Sequence, residues 1–312
     1  MEVRVDPLFQ SPGDLLADRR YGVAVELAAR GDRPGAIDVL MQAIELAPGF
    51  AFAWFALADL REVSGDRSGA VEAFRRAQAA DPVDRHGAGL RLARLNARVP
   101  DAMPAGYVRA LFDQYAPRFD SSLEALSYRG PALLLDAIRR WRTQRGQRLR
   151  FGTVLDLGCG TGLMGALVRP VCDWLVGVDL SPGMIANARQ KRLYDRLDVA
   201  DIGQFMKAQC NASSRYHLIL AADVLPYIGE FAEIIAQAKS LLDAGGLFCF
   251  TVETQTDAAI TLGDKLRYAH SEAYVQSAVV SAGLAPFLLE YLSIRTEGGA
   301  PVAGLIAVVG HS

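Results

Sequence analysis

Val154-Leu155-Asp156-Leu157-Gly158-Cys159-Gly160-Thr161-Gly162 is the stretch on which the reading of this chain turns. An apolar run of strand length passes into three glycines spaced two apart. Glycine accepts the left-handed backbone that a sharp strand-to-helix turn needs, and it lets a ligand touch bare main chain. The helix that follows then points its amino terminus at that ligand. The loop alone is weak evidence, because Gly160-Thr161-Gly162-Leu163-Met164-Gly165 also satisfies the GxGxxG of dinucleotide binders. The next strand ends Val176-Gly177-Val178-Asp179-Leu180-Ser181, which sets Asp179 179 − 160 = 19 residues after the central glycine. A carboxylate at that strand tip can accept both hydroxyls of a ribose. Ser181 is suited to cap a helix that Pro182 begins.

Further out, the runs TVLDLG, WLVGVDL, RLDVA, HLILAAD and LFCFTVE alternate with helix-length segments. Buried strands separated by helices make a parallel α/β sheet. The tail reads helix (SEAYVQSAVVSAG), strand (PFLLEYLSIRTE), Gly298-Gly299 turn, strand (VAGLIAVVG), an antiparallel hairpin at the sheet edge. Ahead of the first strand lie two helical stretches, GYVRALFDQYAPRF and SLEALSYRGPALLLDAIRRW, the second expected to kink at Pro131. Residues 106–131 are expected to form a lid over the ligand.

Acids follow strands three and four as well, in Ala200-Asp201-Ile202 and Ala221-Ala222-Asp223-Val224-Leu225-Pro226-Tyr227. With Asp156 and the closing hairpin, residues 150–310 resemble class I S-adenosylmethionine-dependent methyltransferases. The dinucleotide-binding fold explains neither Asp156 nor the hairpin. The resemblance implies a Rossmann-like sheet that binds S-adenosylmethionine and releases S-adenosylhomocysteine. It implies that the backbone of Gly158, Cys159, Gly160, Thr161 and Gly162 holds the methionine part and that Asp156 accepts from its ammonium. Asp179 would take the ribose, while Leu180 and Met184 pack on the adenine. Asp201 would accept from the adenine amino group, and Ile202 would offer its amide to the ring. Ala221 and Asp223 would flank the methionine tail and the transferred methyl, and Arg129 would grip a carboxylate of cofactor or substrate. Should the acceptor need deprotonation, Tyr115, Asp223, His270 and Tyr227 are candidates. Tyr115 and Tyr128 read equally well as core aromatics, and His270 as part of the helix start near Ser271. The segment Asp223-Val224-Leu225-Pro226-Tyr227 is not the Asn/Asp-Pro-Pro-Tyr of amino methyltransferases acting on bases or glutamine amides. A small-molecule acceptor is therefore expected.

The amino-terminal third has a different period. Gly31-Asp32-Arg33-Pro34-Gly35-Ala36 returns as Gly65-Asp66-Arg67-Ser68-Gly69-Ala70, an offset of 65 − 31 = 34, which also links Ala43 to Ala77 and Pro48 to Pro82. This resembles tetratricopeptide repeats, helical hairpins whose small residues let paired helices approach. Residues 84–96 read as a capping helix, and the proline-bearing stretch 97–105 as the boundary between a helical domain, 1–99, and a catalytic domain, 100–312. Tyr21 and Phe55, 34 apart, with Phe52 a turn away, are expected to line a groove for a protein partner or for the chain's own helices. The segments 112–120, 128–131 and 267–271 further resemble bacterial methyltransferases that carry such repeats.

Half of the 312 residues are apolar (51%) and the net charge is −2, so a broad phosphate-gripping face is not expected, nor a nucleic-acid partner. The opening MEVRVDPLFQSPGDLL has no basic segment before an apolar one, and no run reaches the ~18 apolar residues of a membrane span. The four cysteines form no CxxC pair and the four histidines are scattered. Reduced thiols, a cytoplasmic location and no metal site are expected. A nicotinamide-dependent oxidoreductase and a catalytically silent interaction module are the competing classes.

Overall fold

A computed structural model describes residues 10–96 and 98–311. The first nine residues, part of the segment read above for a leader, lie outside that range. The chain divides into two compact units, one running to Leu111 and the other from Phe112 onward. The division falls inside a helix, beyond the proline-bearing stretch 97–105 where the 99/100 boundary was expected.

The first unit holds α1 (Leu15–Ala29), α2 (Arg33–Leu46), α3 (Ala51–Val63), α4 (Arg67–Ala80), α5 (Ala88–Leu95) and the start of α6 (Ala105–Tyr115). The 34-residue offset is visible in its helix starts. Asp32 accepts from the Gly35 N–H at 3.0 Å, and Asp66 from the Gly69 N–H at 2.9 Å. Gly31 and Gly65 precede them at φ 86° and 84°, the left-handed turn that ends a helix without a Cβ clash. Ala36, Ala43, Ala70 and Ala77 are buried where the helices meet. The aromatics expected to line a groove pack on the chain itself, Phe52 and Phe55 also against His86 beyond α4. Tyr21 and Phe52 are buried, with Tyr21 5.2 Å from Phe50 and 6.3 Å from Phe52 between ring centroids. Phe55 packs edge-on against Phe74 at 5.4 Å. Two hairpins are too few to leave large rings uncovered, so Tyr21 and Phe52 joined the core and Phe55 packs half-buried against it.

The second unit begins with the end of α6, then α7 (Phe119–Ala125) and α8 (Gly130–Thr143). The single kinked helix expected over 122–141 is two helices. Ser127 turns the chain at φ 51°, and Pro131 stands in the first turn of α8, where its missing N–H costs nothing. Next come β1 (Phe151–Leu157), α9 (Leu163–Val168), β2 (Cys172–Asp179), α10 (Pro182–Lys191), β3 (Arg196–Val199), α11 (Ile202–Asn211), β4 (Tyr216–Ala221), α12 (Ala232–Leu241) and β5 (Leu242–Thr254). Then follow β6 (Ile260–Leu262), β7 (Tyr268–His270), α13 (Glu272–Ser281), β8 (Ala285–Glu297) and β9 (Ala300–Gly310).

The strand order is β3-β2-β1-β4-β5-β7-β6, parallel through β5, with β9 antiparallel to β5 and β8 to β9. This is a Rossmann-like sheet with a closing hairpin. β6 and β7 went unread because three residues carry no period. Alternate strand residues face opposite layers. Leu155, Leu157 and Val176 pack with Phe205, Met206 and Ile235, whereas Val154, Leu175 and Leu218 pack with Leu134, Ile138 and Val168. With both faces covered by helices, the ends of β1, β2, β3 and β4 carry the loops that lead into those helices. Among the described residues no helix is long and apolar enough to cross a membrane.

Candidate active site

The strand tips carry the chemistry. After β1 the chain turns through Gly158, Gly160 and Gly162 at φ 59°, 53° and 93°. A Cβ on Gly158 would come within 2.5 Å of Val224 Cγ2, so the loop needs glycine for its backbone and for its fit beside the β4 exit. Asp179, at the tip of β2 and 8% exposed, holds this loop. Its Oδ2 accepts from the Gly160 N–H and its Oδ1 from the Ser181 N–H, both at 2.8 Å. Each oxygen keeps a lone pair for a further donor. Burial pushes the carboxyl up to about 6 against the pull of those two N–H groups. Ser181, as read, caps α10 by accepting from the Met184 N–H at 3.0 Å.

Asp156 lies beneath the loop, 1% exposed, and accepts from the Tyr194 hydroxyl at 2.6 Å. Burial raises it to about 7, Asp179 adds to the rise, and the Tyr194 hydrogen bond opposes it. Tyr194 was not singled out in the sequence, standing as it does in an undistinguished segment before β3. A Cβ on Gly165 would meet its hydroxyl at 2.3 Å, so that glycine makes room for it. Asp201 caps α11 by accepting from the Gln204 N–H at 3.0 Å, and Ile202 is the buried first residue of that helix. Met184 is fully buried, Leu180 half-buried, and Cys159 is held by its N–H to the Val178 carbonyl at 3.0 Å.

Residues 113–120 lie against these loops. Asp113 Oδ1 accepts from the Ser181 hydroxyl at 2.5 Å and from the Gly183 N–H at 3.0 Å. The Asn187 amide donates to the Ala116 carbonyl at 2.6 Å. Asp120 accepts from Thr161 Oγ1 at 2.5 Å and pairs with Lys191 at 2.7 Å. Phe119 lies over Gly160, and Phe112 sits 6.2 Å from Phe119 and 5.0 Å from Tyr227 by ring centroids.

Beyond β4, Asp223 adopts φ 60°, and its N–H donates to Thr251 Oγ1 at 2.8 Å. Both of its oxygens accept from Arg295 Nη1, at 2.9 and 2.8 Å. Arg295, 4% exposed, also pairs with Glu253 and with Glu297 at 2.7 Å. Burial would raise Glu297, but Lys265, Arg295 and Arg267 hold it at about 2. Tyr128 faces the same cluster. Burial drives its hydroxyl well above the usual phenol range, Asp223 and Asp156 push the same way, and Arg295 opposes them. Arg295 escaped sequence reading because it sits in a strand that patterns as plain hairpin.

His270 falls in the core, Arg129 meets β8 through its main chain, and Tyr115 stands near Arg267 and Glu297. His270 is completely buried, its Nε2 donating to the Gly229 carbonyl at 2.8 Å and its ring packed 4.7 Å from Phe231. Burial lowers its pKa, so it stands as a neutral core imidazole. Arg129 bonds through its main chain, its N–H donating to the Ile294 carbonyl at 2.8 Å, while its guanidinium is exposed. Tyr115 is half-buried at the end of α6, with Arg118 over its ring at 5.8 Å.

A doubly wound sheet with a glycine turn and acidic strand tips defines a Rossmann-like α/β protein. The family model described as "Methyltransferase domain" matches residues 126–281. The chain belongs to that family. Methyltransferase-like protein 27 of Homo sapiens is 37% identical over 146 residues, covering 46% of this chain and 57% of its own length. The ubiquinone biosynthesis O-methyltransferase of Glaesserella parasuis is 25% identical over 114 residues, covering 35% of this chain and 48% of its own length. The chain thus spans about half the length of the curated relatives it matches. Among solved structures, the 1,6-didemethyltoxoflavin-N1-methyltransferase of Burkholderia thailandensis superposes with a TM-score of 0.50. It is 16% identical and covers 68% of this chain and 91% of that one.

Proposed function

We propose that this chain transfers a methyl group from S-adenosylmethionine to a small-molecule acceptor, on a domain preceded by tetratricopeptide-type hairpins. One observation carries the cofactor reading. Two carboxylates, Asp156 and Asp179, are buried at adjacent strand tips around a loop that exposes only glycine backbone. Burial without a cation holds both carboxyls up, and such groups fit a ligand that brings an ammonium and two hydroxyls. The closing hairpin of β8 and β9 argues for this cofactor over a nicotinamide dinucleotide.

When bound, the cofactor supplies a methyl carbon already activated by a sulfonium, so the protein's contribution is placement and exclusion of water. Gly158, Cys159, Gly160, Thr161 and Gly162 would hold the methionine part, with Asp156 on its ammonium. Asp179 would hold the ribose, Asp201 and Ile202 the adenine edge, and Leu180 and Met184 its face. Ala221 and Asp223 would border the methyl, and residues 106–131 would cover it. Tyr115, Tyr128 and Tyr227 stand on the acceptor side, where a phenol can orient or deprotonate a nucleophile. His270 serves the core rather than the reaction. The exposed Arg129 is free to meet a charged group on the acceptor. A cytoplasmic setting suits this chemistry. Calorimetry with S-adenosylhomocysteine and with NAD tests the reading. Binding of the first alone is expected, and binding of NAD alone would refute it. A screen of cell metabolites for new methylated products would then identify the acceptor.

A further inference from the structure

β8 and β9 fall out of step near the site. Ser293 pairs with Ala303, but Thr296 pairs with Pro301, so β8 carries one residue more than its partner between those pairs. A bulge of this kind bends a strand and re-aims a side chain. Here the side chain is Arg295, brought inward to 4% exposure, with one nitrogen bonded to both oxygens of Asp223. The same bulge holds the turn before α8. The Arg129 N–H donates to the Ile294 carbonyl at 2.8 Å, and the Thr296 N–H to the Leu126 carbonyl at 2.9 Å. The Thr296 hydroxyl reaches the same carbonyl at 3.1 Å. Three successive residues, Ile294 to Thr296, therefore set Asp223 on one side and the turn bearing Tyr128 on the other.

We propose that Arg295 is a positioning residue of the transfer site, which aims the Asp223 carboxylate and balances its charge beside the sulfonium. This rests on the methyltransferase reading above. Asp223 sits at positive φ, held by its N–H on Thr251 Oγ1 and by its carboxylate on Arg295, so its aim is set by its neighbours. With Arg295 in place, shared among Asp223, Glu253 and Glu297, the charge of the Asp223 carboxylate is partly offset and its pull on the cationic cofactor weakened. Without it, an uncompensated anion faces the sulfonium, and binding of the cationic cofactor strengthens relative to its neutral-sulfur product.

The test compares calorimetric affinities for S-adenosylmethionine and S-adenosylhomocysteine in the full chain. Arg295→Gln should shift the ratio toward S-adenosylmethionine by about three- to tenfold, the effect of one nearby charge in a partly solvated site. Arg295→Lys, which keeps the charge, should stay within about twofold of wild type. Asp223→Asn should shift the ratio the other way by at least about threefold. A merely structural Arg295 would weaken both ligands alike and leave the ratio unmoved. An unchanged ratio in Arg295→Gln overturns the proposal, and if that variant does not fold, an unchanged ratio in Asp223→Asn overturns it equally. If wild type binds neither ligand, the methyltransferase reading fails instead, which is a different outcome.

Discussion

Replacing Asp179 by alanine tests the cofactor site most sharply, once the structure is used to separate two effects. The carboxylate already holds the Gly160 and Ser181 N–H groups at 2.8 Å each. Its loss leaves two loop donors without an acceptor, at ~1–3 kcal/mol apiece where water cannot reach. It also removes an ionised group that burial disfavours, so the net loss of folding stability should be ~1–3 kcal/mol, below the sum of the two bonds. A drop in cofactor affinity alone would therefore be ambiguous, since a loosened loop weakens binding whatever Asp179 contacts. A cycle resolves it. Two ribose hydroxyls donating to a charged acceptor are worth ~1.5–3 kcal/mol each and together ~2–4 kcal/mol, because water partly replaces the carboxylate. Wild type should bind S-adenosylhomocysteine roughly 30- to 1000-fold more tightly than its 2′,3′-dideoxy analogue. In Asp179→Ala that preference should shrink to within about fivefold, a coupling that loop loosening cannot produce. Calorimetry on the four pairs, with a thermal melt of each protein, measures both quantities. If the variant discriminates against the dideoxy analogue as strongly as wild type does, Asp179 does not hold the ribose.

Three further outcomes follow from the same geometry. Asp156 and Asp179 sit near 7 and 6 in the ligand-free protein, above their ordinary 3.8, so the folded state holds protons there that the unfolded chain has already released. Their contribution to stability is therefore lost as pH rises from about 4 through about 7, and a ligand ammonium should expel roughly one proton near pH 6; equal heats of S-adenosylhomocysteine binding in buffers of different ionisation enthalpy would contradict this. Cutting the lid contacts with Asp113→Ala or Asp120→Ala should speed exchange of amides in 112–125 and raise the cofactor's dissociation rate by about tenfold, for one charge-assisted bond; exchange identical to wild type with ligand bound would show that the segment is not held by these carboxylates. A fragment ending at residue 99 lacks Tyr107, whose ring lies where a Cβ on Gly87 would meet it at 2.9 Å, and should melt less cooperatively than one ending at 111; equal melts would place the boundary back at the prolines.

Much of this molecule is local and so was legible in the sequence. The glycine turn after β1, the acids at the tips of β2 and β3, the Ser181 cap and the 34-residue return of Gly-Asp-Arg in the first unit each depend on residues within a few positions of one another. Backbone sterics and hydrogen bonding act at that range, so the pattern alone carries them. What needed tertiary structure is whatever two distant segments decide jointly. Tyr21 and Phe52 are amphipathic-looking on their own helices, and only the stacking of two hairpins made them core. His270 resembles a base until Gly229 and Phe231 are seen to enclose it. Arg295 stands 295 − 223 = 72 residues from Asp223, and nothing in either neighbourhood announces the other. Their pairing exists because β9 returns antiparallel beside β5, β8 lies antiparallel along β9, and a one-residue bulge in β8 turns the Arg295 side chain inward. Sequence determines which residues can form a strand or a cap, and the return path of the chain determines which charges must share a buried space.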